Sequence, residues 1–494
     1  MSTMMSRSLG AYRVASALIE ANYSTFVLDF VDRLSASEII KVLEQHIGTE
    51  TLWVGFSSTF FWAERKKYDS TVDMDTYHKS NMYWTTDYDE VLKIIKFIKK
   101  HDNVKLVYGG AKTPFALFDE SIDYYVLGNA DISTIELTDY LAGKIDAITH
   151  LEEVTINRHQ RYKIDSFKYP EPQMNNVSTH WWNHEFKILQ NEPLAIELAR
   201  GCIFKCKFCN YPLLGKKKGT YLRDAYQIKD ELVKTYETHG TTRYNFTDDT
   251  FNDDIDKIEM LHRVFTDLPF KLEFAAYLRI DLIHKYPEQA HLLSEMGLVG
   301  CYFGIETLQA ESAKAIGKGL HPNKVKERLY WLSGQWKNKV NMSSGFILGL
   351  PYDTPEYFYE LMAWSLELDN PLQEMLFFPL NLYNYKNPDL ERYSSEFSIN
   401  PEIYGYKFNN PEMINRWTLP SQKLSYNECL KLAGEFNELR TDINKIASFE
   451  IMNYLNLNIP LVDLHNLTKV QLYKKYDINA KAQHRLDEYK KIIL

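Results

Sequence analysis

The order of apolar and polar positions divides the first part of the chain into short apolar runs and amphipathic segments. A run of four to eight apolar residues is typical of a buried strand, and apolar residues three or four positions apart are typical of a helix. Strands that alternate with helices favour a parallel, doubly wound α/β sheet that binds its ligand at the carboxyl ends of the strands. The predicted strands are 25–30, 52–56, 104–108 and 124–127, and the predicted helices are 11–22, 35–47, 89–100 and 133–141.

The alternation restarts near residue 192 with longer periods. Six apolar runs are each followed by a helix or a turn, which is typical of a partial (βα)6 barrel. Functional residues in such barrels follow the strands, so the segments directly after the runs form the candidate site. The six predicted strands are 194–198, 242–246, 272–276, 299–303, 341–347 and 375–378.

Breaks in these patterns predict four segments. They are an N-terminal sheet domain at 1–145, a connector at 146–190, the barrel core at 191–390 and a helical C-terminal extension at 391–494. The connector is predicted from residues that interrupt regular structure. They are Pro170, Pro172, Asn175 and Asn176.

Two further segments carry predictions of their own. Residues 63–88 are polar and aromatic and are predicted to form a long loop, a candidate lid. His78 within this loop is predicted to be a solvated side chain, and the alternatives are a metal ligand or a substrate contact. In the extension, helices are predicted at 426–439 and 443–455, with a charged amphipathic region at 469–494.

The strongest chemical signal follows the first barrel strand, where three of the five cysteines have the spacing CxxxCxxC. Cys202, Cys206 and Cys209 on one loop indicate a metal site. No histidine or fourth cysteine lies within ten residues on either side, whereas tetrahedral zinc needs four protein ligands. A [4Fe–4S] cluster needs only three and leaves one iron open. The alternative is a structural zinc knuckle.

Polar residues also follow the later barrel strands. Asp248 and Asp249 come after the second strand, Arg279 after the third and Glu306 after the fourth. Such carboxylates and a planar guanidinium suit a ligand that carries ammonium and carboxylate groups. The alternative for each is a helix cap or a surface charge.

The cysteine spacing and the order of these motifs resemble the radical S-adenosylmethionine (SAM) superfamily. The resemblance implies that Cys202, Cys206 and Cys209 hold the cluster and that its open iron binds SAM. It places Phe208 near the adenine, and Gly349 and Pro351 in a GxIxGxxP-like motif that flanks adenine, with the proline one residue early. It assigns Asp248 and Asp249 to the SAM amino group, Arg279 to the SAM carboxylate or a substrate anion, and Glu306 to the ribose or methionine end.

The N-terminal sheet resembles the flavodoxin-like cobalamin-binding domain of a radical SAM subgroup. It departs from the usual pattern, because 29–34 lacks the histidine of the Asp-x-His-x-x-Gly loop and 128–131 reads Gly-Asn-Ala-Asp. A histidine-free mode of binding remains open. The alternative is a domain kept for packing, dimerisation or substrate capture. The predicted pocket floor is formed by Ser57, Ser58, Thr59, Gly109 and Gly110.

The resemblance implies 5′-deoxyadenosyl radical chemistry, with cobalamin-dependent methylation of an unactivated carbon as the leading outcome. Without cobalamin, the alternatives are cyclisation, oxidation or rearrangement. A different class is a non-catalytic iron–sulfur protein or redox sensor. The implied partners are a small-molecule or peptide substrate and an electron donor such as flavodoxin or ferredoxin.

Composition sets the remaining expectations. The net charge is −9 and there is no long basic run, which disfavours nucleic acid as a partner. No apolar run approaches twenty residues and the first residues lack a signal segment, so a cytoplasmic protein without a membrane span is expected. The cysteines do not form a disulfide framework, and Cys301 and Cys429 are predicted to be buried. For Cys301 the alternative is a hydrogen donor or acceptor.

Overall fold

The computed structural model describes residues 7–57, 62–64, 85–110, 121–156, 159–211, 213–217, 219–382, 392–408 and 417–494. The chain forms two compact units. The N-terminal unit contains the described residues up to Gln190, together with Glu237–His239 and Gln483–Leu494. The barrel unit contains Asn191–Tyr236 and Gly240–Ala482.

The N-terminal unit contains a five-stranded sheet of order β1-β4-β5-β7-β6 and a separate pair, β2 and β3. Within the larger sheet, β1, β4, β5 and β7 are parallel, and β6 is antiparallel to β7. The strands are β1 (Trp53–Ser57), β2 (Trp62–Glu64), β3 (Thr85–Asp87), β4 (Lys105–Gly110), β5 (Tyr124–Leu127), β6 (Leu151–Ile156) and β7 (His159–Asp165).

Helices of this unit cover both faces of the sheet. They are α1 (Leu9–Glu20), α2 (Ala36–His46), α3 (Tyr88–Ile98) and α4 (Asp131–Leu141). Because successive strand residues point to opposite faces, Leu106 packs with α2 and α3, whereas the adjacent Val107 packs with Leu137 of α4. The predicted doubly wound α/β arrangement is confirmed.

The predicted strand at 25–30 is wrong. Val27 and Phe30 are buried, but the segment pairs with no described strand and leads into a 3-10 turn at Val31–Arg33. Its polar backbone groups bond to side chains instead. The Asp29 backbone N–H donates to the Tyr489 hydroxyl at 3.2 Å, and a carboxylate oxygen of Asp29 accepts from the Phe30 N–H at 2.9 Å. Burial alone therefore did not distinguish a strand from an extended segment of the core.

Regular structure also appears where none was predicted. The hairpin of β6 and β7 lies within the expected connector, and β7 joins the sheet through β5. The two residue sets 62–64 and 85–87, at the ends of the expected long loop, form a short parallel pair. His78 lies outside the described residues. Polar residues dominate β6 and β7, so the apolar runs that predict strands are absent there.

The barrel unit confirms the predicted partial (βα)6 barrel. Its six strands are all parallel and follow chain order across the sheet. They are β8 (Leu194–Ile196), β9 (Arg243–Phe246), β10 (Glu273–Leu278), β11 (Leu298–Glu306), β12 (Asn341–Leu348) and β13 (Glu374–Pro379). The helices between them are α5 (Ala225–His239), α6 (Ile255–Phe265), α7 (Ile280–Lys285), α8 (Gln289–Met296), α9 (Ala310–Ala315), α10 (Pro322–Gln335) and α11 (Pro355–Ser365).

Side-chain caps explain where several of these helices begin. The Asp224 carboxylate accepts from the N–H groups of Tyr226 and Gln227, and the Thr354 hydroxyl accepts from Tyr357 N–H. Each bond satisfies a donor that has no partner within its own helix. The order of strand, loop and helix is thus set locally by the sequence.

The C-terminal extension covers the edge strand of the barrel sheet. Asn437 accepts from the N–H of Phe377 and donates to its carbonyl, both at 2.9 Å, and Asn444 makes the same pair of bonds to Met375 at 3.3 Å. Amide side chains thus replace a missing strand on β13 and protect its edge. The helices of the extension are α12 (Glu396–Ile399), α13 (Tyr426–Arg440), α14 (Ile451–Asn456), α15 (Leu461–Asn466), α16 (Lys469–Lys475) and α17 (Ile478–Ile493).

The predicted helix at 443–455 is wrong over its first half. Residues 443–450 run across the strand starts, where Lys445 N–H donates to the Gln373 carbonyl and Ser448 N–H to the Ser343 hydroxyl. These long-range bonds take the place of helical ones. Among the helices that the structure describes, none combines the length and apolar composition needed to cross a membrane.

Candidate functional site

A cavity opens at the carboxyl ends of the barrel strands. It collects the three cysteines and four of the other predicted residues, which the chain spreads over more than a hundred positions. Fifteen residues line the cavity: Cys202, Phe204, Cys206, Phe208, Cys209, Leu214, Asp249, Thr250, Tyr277, Leu278, Arg279, Tyr302, Gly304, Glu306 and Lys318.

Backbone hydrogen bonds hold the cysteine loop in its conformation. Cys202 N–H donates to the Leu213 carbonyl at 2.9 Å, and Lys216 N–H donates to the Cys202 carbonyl at 3.0 Å. Gly201 has φ +114°, and a Cβ built there would lie 2.8 Å from the Leu213 oxygen. Glycine at this position is therefore required for the loop to close on itself.

The thiols fit a cubane cluster better than a single metal ion. Among the described residues, no three His, Cys, Asp or Glu side chains converge as the ligands of one ion. A [4Fe–4S] cluster has no such requirement, because each thiolate bonds a different iron. Burial raises the pKa of Cys202 and raises that of Cys209 to about 12, so thiolate formation would accompany metal binding.

The structure separates the two predicted aspartates. Asp249 lines the cavity, and burial raises its pKa to about 6. Asp248 is turned into the protein, where it accepts from Leu198 N–H at 3.3 Å. Burial raises the pKa of Asp248 to about 7, while Lys257 opposes that shift. Asp248 thus ties the second strand end to the cysteine loop, and Asp249 alone of the pair faces the cavity.

Arg279 lines the cavity but already has partners. Its Nε and Nη2 donate to the two carboxylate oxygens of Asp281 at 3.0 and 2.7 Å. Its guanidinium carbon lies 3.8 Å from the centre of the Phe204 ring, and Nη1 lies 3.5 Å from Sγ of Cys206. The side-on face of the guanidinium is therefore occupied by a carboxylate of the same chain.

Glu306 and Lys318 line the cavity next to each other. Glu306 has φ +69° at a register shift between β11 and β12, and its Oε1 lies 3.7 Å from Nζ of Lys318. Nζ also donates to the Gly304 carbonyl at 2.7 Å. Burial raises the pKa of Glu306, and the charge of Lys318 opposes the rise. Lys318 was not predicted, although its setting in Gly317-Lys318-Gly319 marks it as a turn residue.

Gly349 and Pro351 are not among the residues that line this cavity. Their backbone is held from outside it: the Tyr406 hydroxyl donates to the Gly349 carbonyl at 2.8 Å, and the Ser312 hydroxyl to the Pro351 carbonyl at 2.7 Å. Asp353 accepts from Gly349 N–H at 3.1 Å. The assignment of Gly349 and Pro351 to adenine stays a prediction.

Two aromatic residues of the cavity were also missed. Tyr277 and Tyr302 lie on neighbouring strands with ring centres 5.5 Å apart. Alternating residues of one strand share a face, but only the sheet order shows which faces adjoin the cavity. Cys301 and Cys429 are buried as predicted, and neither lines the cavity.

In the N-terminal unit, three of the predicted pocket residues lie at strand ends. Ser57 of β1 pairs in register with Gly109 of β4, and Gly110 pairs with Leu127 of β5. Ser58 and Thr59 lie outside the described residues. Since 25–30 is not a strand, the segment 29–34 does not follow a strand of this sheet, unlike the loop that usually carries the cobalt-binding histidine.

Comparison with known proteins identifies the class. Residues 196–365 match the family model of the radical SAM superfamily. This match assigns a radical SAM domain to residues 196–365, and the radical SAM family implies a [4Fe–4S] cluster and SAM as cofactors.

The chain is also similar to one curated protein and to two solved structures. The hopanoid C-2 methylase of Rhodopseudomonas palustris (strain TIE-1) is 26% identical over 244 residues, 48% of this chain and 43% of that protein. The radical SAM methyltransferase TsrM of Kitasatospora setae, solved with cobalamin and a [4Fe–4S] cluster, aligns with TM-score 0.57 at 18% identity over 87% of this chain and 82% of that one. The cobalamin-dependent enzyme OxsB, solved with aqua-cobalamin and SAM, aligns with TM-score 0.54 at 15% identity. The alignment covers 81% of this chain and 54% of that one.

These matches have a defined reach. At such identities the structural likeness concerns the fold alone, over 87% of this chain for TsrM and 81% for OxsB. The chain spans about two fifths of the length of the curated relatives it matches.

Proposed function

We propose that this protein is a radical SAM enzyme that methylates an unactivated carbon of its substrate with the help of cobalamin. The observation that carries the proposal is the cavity itself. Three thiols, two carboxylates and two cations from five separate segments meet there at the carboxyl ends of a parallel barrel sheet. A zinc knuckle or a surface charge cluster needs no such convergence.

Cys202, Cys206 and Cys209 would hold the cluster, one iron each. When bound, the cluster and SAM together supply a 5′-deoxyadenosyl radical from one donated electron. The acidic side chains then have defined tasks. Asp249, mostly ionised near neutral pH, accepts from the SAM ammonium, and Glu306 accepts from ribose hydroxyls.

The remaining lining groups orient SAM and exclude water. Phe208 offers an aromatic face to the adenine, and Lys318 or Arg279 pairs with the carboxylate. The rings of Phe204, Tyr277 and Tyr302 cover the rest of the cavity. An apolar wall suits a carbon radical, which would otherwise react with solvent or stray donors.

The cobalamin part of the proposal rests on the fold of the N-terminal unit. Ser57, Gly109 and Gly110 at the sheet edge, with Ser58 nearby in sequence, offer backbone groups and small side chains rather than a metal ligand. A cradle of this kind fits a histidine-free mode of binding. The proposed partners are an electron donor such as flavodoxin or ferredoxin and a small-molecule or peptide substrate, in a reducing cytoplasm.

The test is anaerobic reconstitution of the full chain with iron, sulfide, SAM, dithionite and hydroxocobalamin, followed by desalting. Retained cobalamin together with 5′-deoxyadenosine supports the methyltransferase proposal. Deoxyadenosine without retained cobalamin overturns the cobalamin part and favours cyclisation, oxidation or rearrangement. Retained iron without SAM cleavage overturns catalysis and favours a redox sensor. Cys206→Ala is the negative control.

A further inference from the structure

The guanidinium of Arg279 contacts a cysteine that the proposed function assigns to the cluster. Nη1 of Arg279 lies 3.5 Å from Sγ of Cys206, within the range of an N–H···S hydrogen bond. We propose that Arg279 is a positioning residue that donates this bond to the cluster ligand and raises the reduction potential of the cluster. The inference rests on the proposed function and names a role for this residue other than binding the SAM carboxylate.

The backbone of Arg279 is locked in place. Asn252 accepts from Arg279 N–H at 2.8 Å and donates to the Arg279 carbonyl at 3.0 Å. The same amide nitrogen donates to Gln289 at 2.9 Å. Asn252 and Gln289 are both fully buried, so the end of β10 is held by a buried amide pair. The side chain therefore starts from a fixed point.

The side chain is fixed as firmly. Asp281 takes Nε and Nη2 in a side-on pair, and the Phe204 ring supports the flat face at 3.8 Å. Arg279 is 6% exposed. Although burial alone would raise the pKa of Asp281, the bond from Arg279 holds that pKa below its usual value, so this carboxylate is ionised at neutral pH.

Counting donors argues against the SAM carboxylate as the partner of Arg279. A guanidinium has five N–H groups, and the strong side-on pair uses Nε and Nη2. That pair is taken by Asp281, and Nη1 points to the sulfur. Lys318 is the second cation of the cavity, and its ammonium group has three N–H donors. It donates to the Gly304 carbonyl and makes a longer contact with Glu306.

The effect on the cluster follows from charge. Reduction adds negative charge to the cluster and its sulfurs, so a nearby positive group and an N–H donor favour the reduced state. The Arg279–Asp281 pair is a dipole whose positive end faces Cys206. Burial strengthens the effect because less water screens it.

The experiment is an anaerobic redox titration of the reconstituted full chain without SAM, followed by electron paramagnetic resonance. R279Q is expected to shift the midpoint potential to more negative values, and D281N to more positive ones. R279K, which keeps the charge but loses the fork, is expected to shift it less than R279Q in the same direction. SAM affinity is measured separately on each oxidised protein.

A matched control exists at the opposite end of the neighbouring strands β9 and β10. Arg243 pairs with Glu273 at 2.9 Å at the opposite end of β10. R243Q therefore removes a comparable ion pair far from the cysteines and is expected to leave the potential unchanged. A shift in R279Q that R243Q shares would show a general loss of structure and overturn the inference.

Two further outcomes are distinguishable. An unchanged potential in R279Q and D281N with weakened SAM binding overturns the inference and assigns Arg279 to the SAM carboxylate, leaving the proposed function intact. A wild-type chain that retains no iron and sulfide overturns both. If R279Q loses its cluster, the opposite shifts expected for R279K and D281N still decide the matter.

Discussion

The carboxyl edges of the two sheets are built from different kinds of groups. At the barrel edge, thiols, carboxylates and cations converge on one cavity. At the edge of the N-terminal sheet, the described predicted residues are Ser57, Gly109 and Gly110, which offer mainly backbone. Ligands of parallel α/β sheets usually bind at such strand ends. Under the proposed function, the barrel edge would gain its reactivity from added side chains, and the N-terminal edge would make room for a large cofactor through small ones.

The contrast has a practical consequence. Charged and sulfur-containing residues are recognisable in a sequence, whereas small residues at strand ends are also what ordinary turns require. The functional proposal for the N-terminal edge therefore rests on the fold of that unit, whereas the proposal for the barrel edge rests on particular residues. Four substitutions test this division.

The largest expected effect is at the barrel edge. Cys206→Ala removes one of three cluster ligands and is expected to abolish both the retained iron, about four atoms per chain in the wild type, and SAM cleavage. Cys301→Ala is the matched control, since this buried cysteine does not line the cavity. Iron analysis and deoxyadenosine formation are the measurements. Equal iron loss in both variants would contradict the assignment.

The next effect tests the N-terminal edge. Gly110→Ala places a side chain on a residue with φ +123°, which costs about 1–2 kcal/mol. If the backbone of this residue approaches cobalamin, retention after desalting is expected to fall about tenfold or more. Gly143→Ala carries a similar change at φ +69° beyond α4, with no atom within 4 Å of the added carbon. Equal cobalamin retention in the two variants would contradict a role of Gly110 in binding cobalamin.

A smaller effect is expected for Lys318, the cation of the cavity that was not predicted from the sequence. Lys318→Met keeps the length of the side chain and removes its charge, so SAM binding is expected to weaken by about 1–3 kcal/mol, the usual value of a charged hydrogen bond. Lys324→Met on exposed α10 is the control. Equilibrium dialysis with labelled SAM gives both affinities. An unchanged SAM affinity in K318M would mean that another group binds the SAM carboxylate.

The smallest effect concerns the amino edge of the barrel sheet, which serves as a reference without proposed chemistry. Burial, then the charge of Glu450, raises the pKa of Glu374 to about 8, while Lys469 and Arg440 oppose the rise. The Oε2 atom of Glu374 has no hydrogen-bond partner among the described residues.

The sign of its pH dependence follows from the two pKa values. Unfolded glutamate ionises near pH 4.3, so between about pH 4 and 8 the folded state keeps a proton that the unfolded state has released. This contribution to the free energy of unfolding is present at low pH and lost as pH rises towards 8. Glu374→Gln stays neutral, so its stability relative to the wild type is expected to increase as the pH rises through that window.

Thermal unfolding at pH 5 and pH 9 measures this change. Glu327→Gln is the control, because Lys324 holds the pKa of this exposed carboxylate below its usual value. A rise in relative stability with pH is expected for E374Q only. Iron content is expected to be the same in both variants, and a loss of iron in E374Q alone would extend the site beyond the carboxyl edge.

Most of the barrel unit was predictable because its signals are local. The strands are apolar runs, several helices begin at a cap such as Asp224 or Thr354, and most candidate residues lie at or shortly after the end of a strand. The errors occur where long-range bonds replace local ones. The segment 25–30 is bonded through Asp29 and Tyr489, and residues 443–450 are bonded to Gln373 and Ser343.

The candidate site was predictable as a set of residues and not as an arrangement. Asp248 and Asp249 are adjacent in sequence, yet only one faces the cavity. Arg279 was predicted to pair with the SAM carboxylate or a substrate anion, yet Asp281, two residues later, already accepts from its Nε and Nη2. Lys318 enters the cavity from a turn that follows a short helix, without a motif of its own.

The sequence by itself determined the cysteine spacing, the alternation of strands and helices and the placement of polar residues after the strands. These depend on contacts between near neighbours in the chain, which a pattern can express. Only the tertiary structure decided which of these residues share a cavity, which are already paired and which strand ends adjoin. Those outcomes depend on sheet order and on competition among partners far apart in sequence, which no local pattern records.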